Sequence, residues 1–374
     1  MPVKVMTVFG TRPDAIKMCP VVLELQKFPE KVDLVVAVTG QHREMLHQVL
    51  DIFRVKPKYD LDIMRSKQSL AEITIRSLQG LEQIILKERP DIVLAQGDTT
   101  TTFAACLAAF YNKVAIGHVE AGLRTDNKYD PFPEEINRRL TTVLADIHFA
   151  PTPAAKKNLM AEGVPANRIY VTGNTVIDAL LSVAGQPWTF TDPVLAEAGS
   201  DGRRMILVTA HRRENWGEPM ASICRAIKEI VEKFPDVFVV FAVHKNPVVR
   251  ATVFPALGKH DRIHLIEPPD YVPFVHLLKK AYFVLTDSGG VQEEAPSLGK
   301  PVLVMRNTTE RPEGVEAGTA KLVGTTSEKI FQEAHELLTN PDTYNSMAKA
   351  VNPYGDGHAS VRIREALFGH FGLS

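Results

Sequence analysis

The chain has little cysteine: only Cys19, Cys106 and Cys224 occur among its 374 residues. Thiols so few and so far apart build neither a disulfide framework nor a zinc knuckle, and they suit a reducing compartment. No apolar run approaches the roughly 18–20 residues that span a bilayer, so membrane insertion is not expected. The opening Met-Pro-Val-Lys-Val-Met-Thr-Val-Phe-Gly lacks the apolar stretch and small-residue cleavage site of a secretory signal, and reads as a first strand. These absences together point to the cytoplasm. There is also no charge of one sign in excess. A formal net charge of −1 offers no global attraction to nucleic acid or anionic lipid, so any anion has to be held by a local cluster. The expected partner is a small molecule.

What the chain does have is an ordinary globular composition, 45% hydrophobic and 23% charged, without low-complexity tracts. Its length exceeds what one hydrophobic core comfortably fills, which favours two domains and a cleft between them. Short β-branched runs alternate with helical periodicity, the pattern of a doubly wound parallel sheet. Strands are expected at Val3–Phe9, Leu34–Val38, Asp91–Gln96, Val114–His118, Ile147–Ala150 and Ile169–Val171. A second series follows at Met205–Thr209, Val237–Val243, Ile263–Ile266, Phe283–Thr286 and Pro301–Val304. Among the intervening helices are Ser69–Lys87, with Ser69 as N-cap, Thr100–Tyr111 and Thr175–Val183. The turn-rich stretch Ala184–Gly202 reads as a linker. We therefore divide the chain into an α/β domain over 1–175, a second over 176–358, and a C-terminal helix near 359–374 that packs back on the first domain.

Ligands of open parallel sheets bind beyond the carboxyl ends of the strands, so polar residues just after strands are the candidates for function. After the first strand comes Gly10-Thr11-Arg12-Pro13-Asp14-Ala15-Ile16-Lys17. A glycine turn and two cations facing a helix start suit an anion, although a capped helix with a surface Arg and Lys fits as well. In Thr286-Asp287-Ser288-Gly289-Gly290-Val291-Gln292-Glu293-Glu294, bare backbone N–H groups and a hydroxyl can approach a diphosphate, and Glu294 can accept both ribose hydroxyls. Arg311, after the next strand, can reach the same phosphates. In Thr209-Ala210-His211-Arg212-Arg213, His211 suits a phosphate donor or an acid. Asp98 and Glu120 follow consecutive strands and Glu134 opens a helix, so three carboxylates are available for proton transfer. Glu134 and Arg138, four apart, equally suit an ordinary helix-surface pair. No histidine or cysteine spacing matches a metal site, and Cys19 and Cys106 lie on apolar helix faces as packing residues.

The strings G-T-R-P-D-A-I-K, Q-G-D-T-T-T-T, H-V-E-A-G-L-R-T, P-F-P-E-E-I-N-R, T-A-H-R-R-E-N, T-D-S-G-G-V-Q-E-E-A-P-S-L-G-K-P and T-E-R-P-E-G run in order from Val5 to about Gly357. They resemble the non-hydrolysing UDP-N-acetylglucosamine 2-epimerases. The resemblance implies a fold of the GT-B glycosyltransferase type, two Rossmann-like domains with the active site between them, usually as a homodimer. It implies conversion of UDP-N-acetylglucosamine to UDP-N-acetylmannosamine, a precursor of cell-surface polysaccharides. It places Arg12, Lys17, His211, Ser288, Gly289, Gly290, Glu294 and Arg311 in the UDP-binding set, Phe274 beside uracil, and Asp98, Glu120 and Glu134 among the catalytic acids. Asp14 stands where the family pattern has glutamate. Some relatives are activated by a second UDP-N-acetylglucosamine. Gln41, Arg212 and His244 match that site, whereas Glu44 replaces a glutamine and Lys67 an arginine, which weakens the inheritance of allosteric control.

Chemistry constrains the reaction so implied. The C2 hydrogen of an N-acetylhexosamine has no ring carbonyl beside it, so it cannot simply be removed as for an enolate. Oxidation through bound NAD would need a dinucleotide fingerprint after the first strand, which is missing, and no cofactor is expected. The remaining route expels UDP, removes the C2 proton to give 2-acetamidoglucal, and re-adds both. It needs a diphosphate cradle and proton-transfer groups on two faces of the ring. Two rivals stay open at this point: a hydrolysing epimerase and a UDP-sugar sensor that binds without turnover.

Overall fold

A computed structural model describes residues 2–41, 43–197 and 202–373. The chain divides into two compact units, Met1–Ala179 with Tyr354–Ser374, and Leu180–Pro353. In the first unit, seven strands form a wholly parallel sheet: β1 (Val3–Phe9), β2 (Val32–Val38), β3 (Tyr59–Asp60), β4 (Ile92–Gln96), β5 (Ala115–Val119), β6 (Ile147–Ala150) and β7 (Ile169–Val171). They lie in the order β3-β2-β1-β4-β5-β6-β7. In the second unit, β8 (Arg204–Ala210), β9 (Val237–Val243), β10 (Ile263–Ile266), β11 (Phe283–Thr286), β12 (Val302–Val304) and β13 (Ala320–Leu322) are ordered β10-β9-β8-β11-β12-β13, again all parallel.

Both orders are Rossmann-like, and in both the direction of winding reverses beside the first strand of the unit. The reversals lie between β1 and β4 and between β8 and β11. The strands read as continuous apolar runs because helices cover both faces. β9, Val-Phe-Val-Val-Phe-Ala-Val, is buried at every position. Phe241, Phe283, Ile227, Ile230 and Leu337 join one core in the second unit. Met6, Val8, Leu81, Ile85, Val93 and Cys106 join one in the first.

The expected helices form where the sequence places them. Ser69 caps Leu70–Glu88 through a capping box with Glu72, and Thr99 caps Thr100–Tyr111. The stretch expected to be a linker carries a short helix, Pro193–Glu197, and its residues 198–201 lie outside the described ones. Two strands were not anticipated, β3 and β13. Each has only two or three residues at a sheet edge, too few for any periodicity to register. The C-terminal helix Ala359–Phe371 belongs to the first unit. Arg364 Nε meets Glu24 Oε1 at 2.8 Å and Phe368 packs edge-on to Phe28. Asp178, itself buried, accepts from the backbone N of Ala359 and Ser360 at 3.1 and 2.8 Å and from Ser360 Oγ at 2.6 Å. No helix among the described residues is long and apolar enough to cross a membrane.

Candidate active site

Register brings the candidate residues together. Val8 pairs with Ala95 across β1 and β4, and Gln96 pairs with Val119 across β4 and β5, so the chain leaves all three strands at one level of the sheet. The loops that start at Gly10, Gly97 and Glu120 are therefore neighbours. A Cβ on Gly10 would run into Thr39 Oγ1 and Thr101 Oγ1, so only glycine lets β1 leave here. Thr11 then caps the helix Arg12–Leu25 through a capping box with Asp14. Thr99 Oγ1, from the loop after β4, donates to the same Asp14 oxygen at 3.3 Å that accepts Thr11 N, also at 3.3 Å. Asp14 thus ties the two loops at the reversal. Burial, reinforced by the charge of Asp98, pushes its carboxyl up to about 7, against the opposing pull of the Thr11 hydrogen bonds and Lys17.

Glu120 sits directly after β5 with φ +64. Its carboxylate is almost fully buried and receives Lys17 Nζ at 2.5 and 2.7 Å, Gln96 Nε2 at 2.5 Å and Asn174 Nδ2 at 2.9 Å. Lys17, grouped by sequence with the phosphate-binding cations, is here the counter-ion of a carboxylate. Arg12 is half-buried at the helix start and has no ion-pair partner among the described residues.

Asp98 Oδ2 accepts two guanidinium contacts from Arg138, Nε at 2.8 Å and Nη2 at 2.7 Å, while Asn137 Nδ2 holds the Asp98 carbonyl at 2.9 Å. The third branch of the Arg138 fork reaches Glu135 Oε2 at 3.1 Å. Glu135 is completely buried and also accepts from Arg139 Nε at 3.0 Å and Thr125 N at 3.1 Å. The surface pair between Glu134 and Arg138 that their spacing allows is not formed, because Arg138 turns inward to two acids with which its fork is complementary. Glu134 is the first residue of the helix Glu134–Leu144, half-buried, and makes no side-chain hydrogen bond or ion pair among the described residues.

His118 on β5 fixes the same turn from below. Its Nε2 lies 2.7 Å from the Gly97 carbonyl, so this nitrogen carries the proton, and burial lowers the ring to about 4, keeping it neutral. Cys19 and Cys106 are fully buried in the helices around this sheet, with thiols pushed up to about 12 by burial, as packing residues would be.

The second unit repeats the arrangement with other chemistry. Thr209 pairs with Thr286, so β8 and β11 also end at one level. Asp287, wholly buried directly after β11, accepts from His211 N at 2.9 Å, Arg212 N at 2.9 Å and Asn215 Nδ2 at 2.9 Å. His211 Nδ1 lies 3.0 Å from Asp287 Oδ1. Burial would raise the Asp287 carboxyl, but the imidazole and the amides outweigh it and hold it below its ordinary value. Ser288 precedes the short helix Gly289–Glu294, whose glycines leave backbone N–H groups bare. Glu294 is buried one turn on. Arg311 pairs with Glu293, and Arg212 with Glu310, which also binds Arg306 and is held at about 2 by these cations despite its burial. Phe274 is half-buried on the helix Tyr271–Lys280.

The residues matched to a regulatory site divide between the units. In the first, Gln41 Oε1 accepts from Thr101 Oγ1 at 3.2 Å, while Glu44 and Lys67 are exposed. In the second, the rings of His244 and His211 lie 6.1 Å apart and Arg212 is engaged by Glu310. Sequence reasoning missed Asp287, Glu135, Gln96 and Asn174. Asp287 carried a signal, an acid directly after a strand. The others became visible only through their partners. No group of three or more His, Cys, Asp or Glu that could hold a metal ion occurs among the described residues.

A model of the UDP-N-acetylglucosamine 2-epimerase family matches residues 24–368. A UDP-N-acetylglucosamine 2-epimerase of Bacillus subtilis strain 168 is 60% identical over 369 residues, covering 99% of this chain and 96% of that protein. A crystal structure of a UDP-N-acetylglucosamine 2-epimerase superposes with a TM-score of 0.92 at 57% identity, covering 100% of this chain and 97% of the other. The enzyme from Neisseria meningitidis, bound to UDP-GlcNAc, superposes with a TM-score of 0.86 at 51% identity, covering 98% of this chain and 100% of the other.

Proposed function

The chain is an enzyme of the UDP-N-acetylglucosamine 2-epimerase family, and we propose that it interconverts UDP-N-acetylglucosamine and UDP-N-acetylmannosamine by eliminating and re-adding UDP, without hydrolysis. The observation that carries this reading is the content of the two sheet reversals. One gathers carboxylates, Asp98 and Glu120, with Glu134 opening the helix whose Asn137 and Arg138 bind Asp98. The other gathers His211, Ser288, Gly289, Gly290 and Glu294, groups suited to a nucleoside diphosphate. A sensor needs no proton-transfer groups, and a hydride mechanism needs a dinucleotide site. The bound UDP-GlcNAc of the Neisseria relative supports the substrate.

In this reading Arg12, Arg311, His211 and the backbone N–H groups of Gly289 and Gly290 stabilise the diphosphate as it leaves C1. Phe274 lies beside uracil, and Glu294 accepts the ribose hydroxyls. Asp98, Glu120 and Glu134 divide the roles of base, acid and support for the oxocarbenium-like charge. Lys17 is the counter-ion of Glu120, whereas Glu134 makes no side-chain hydrogen bond or ion pair among the described residues. Tighter engagement of phosphate by Lys17 would follow if substrate competes with Glu120 for it.

A proton NMR time course with UDP-N-acetylglucosamine in deuterated water tests the reading. The UDP-N-acetylmannosamine epimer should appear with deuterium at C2. An unlabelled epimer would refute elimination, free N-acetylmannosamine with UDP would make the enzyme hydrolysing, and binding without any epimer would make it a sensor.

The wider expectations rest on the same reading. The product serves cell-surface polysaccharide synthesis in the cytoplasm. The exposed apolar side chains Ile136, Leu140 and Val143 along one face of the helix Glu134–Leu144, with Phe110 and Tyr111 at the end of the neighbouring helix Thr100–Tyr111, support a homodimer. Regulation through Gln41, Glu44, Lys67, Arg212 and His244 would have to work with an acid and a lysine where relatives carry amide and guanidinium.

A further inference from the structure

The geometry points to Asp287 as a positioning residue of the epimerisation: it fixes the tautomer and direction of His211, so that Nε2 is the nitrogen turned to the substrate diphosphate. The inference rests on the proposed role of His211 and adds to it a residue that touches no substrate.

The argument is one of satisfied donors. Asp287 is wholly buried, and a buried carboxylate is tolerated only when its lone pairs are filled. Three of its contacts, His211 N, Arg212 N and Asn215 Nδ2, come from the loop directly after β8. These hold that loop against the end of β11. The fourth is His211 Nδ1 at 3.0 Å from Oδ1. An ionised carboxylate can only accept, so Nδ1 must carry the proton whether the ring is neutral or charged. In the neutral ring Nε2 is then the bare nitrogen. About two-fifths of the side chain remains exposed, in contrast to its buried partner. In the doubly protonated ring Nε2 gives its proton to the departing diphosphate oxygen, and the ring is left neutral with its Nδ1 proton still on the Asp287 contact. The same proton returns to Nε2 when the C1–O bond re-forms, and Asp287 stays ionised throughout. The backbone contacts fix where the ring sits, and the Nδ1 contact fixes which edge faces outward.

A double-mutant cycle between D287N and H211A, read by NMR turnover of UDP-N-acetylglucosamine, tests this. An asparagine of the same shape can donate to Nδ1 and stabilise the wrong tautomer. D287N is expected to lower kcat by roughly 10²-fold, within the range for general acid–base groups, with KM little changed. In the H211A background the same change should lower kcat no further. A comparable loss in both backgrounds, or full kcat in D287N, overturns the inference. Because D287N also disturbs three donors to the carboxylate, a second measurement stands apart from folding of the variant. Nitrogen-15 chemical shifts of the His211 ring in the unaltered enzyme should report Nδ1 protonated, and a ring protonated only at Nε2 overturns the inference as well. Failure of the underlying reading looks different: the unaltered enzyme yields no epimer, or H211A turns over as fast as it does.

Discussion

Arg138→Lys separates charge from geometry at the carboxylate end of the site. Arg138 is largely buried and presents three N–H groups to two acids, two to Asp98 Oδ2 at 2.8 and 2.7 Å and one to Glu135 Oε2 at 3.1 Å. A lysine keeps the charge but offers one compact ammonium, which can sit with one acid and not both. Glu135 retains Arg139 and Thr125 N, so the fold tolerates the loss there. Among the described residues Asp98 has no other side-chain donor, and it is about a quarter exposed, so water takes up part of what it loses. Charge-assisted hydrogen bonds contribute about 1.5–3 kcal/mol each. Losing one, discounted for water at Asp98, leaves about 1.5–2 kcal/mol of lost positioning, or roughly 10- to 30-fold in kcat. Urea denaturation should show a smaller change, about 1 kcal/mol, because the buried acid stays paired. The assay is initial epimerisation rate by NMR alongside the urea midpoint of the same preparation. An R138K enzyme with unaltered kcat would refute the claim that the fork positions Asp98.

Three further outcomes follow from other residues. Asp14 titrates near 7 in the fold against 3.8 in a model peptide, so the folded state binds the proton more tightly. The contribution of Asp14 to stability is therefore fully present below about pH 4 and is lost as pH rises through about 7, by on the order of 4 kcal/mol. Asp14→Asn, neutral throughout, should gain on the unaltered protein between pH 5 and 8 in urea midpoint, and parallel pH profiles would contradict the burial argument. Gly10→Ala places a Cβ against Thr39 and Thr101 and should cost about 1–3 kcal/mol by thermal or urea unfolding. Asp178→Ala removes the acceptor of three hydrogen bonds from the start of the C-terminal helix, which should destabilise by about 3 kcal/mol and hasten proteolysis of residues 354–373. Proteolysis at the unaltered rate would show that Asp178 does not pin the helix.

The α/β class, nearly all strands, and the strings where function concentrates are legible in the order of the amino acids, because those properties are local. A strand buried on both faces must be apolar throughout, as β9 is, and the residues after it are free to be polar. N-caps such as Ser69 and Thr99 are equally local, since the side chain bonds its own helix. Tertiary structure alone decided which groups meet. Strand order places β4 beside β1 and β11 beside β8, and only that order sets Thr99 on Asp14 and His211 on Asp287. The same holds for Lys17, whose spacing from Arg12 suggested a phosphate ligand. Folding brings Glu120 to it from 103 residues away, and a buried carboxylate binds the nearest cation. Arg138 likewise faces Asp98 and Glu135 rather than Glu134, since helix spacing says who is able to meet and burial decides who must.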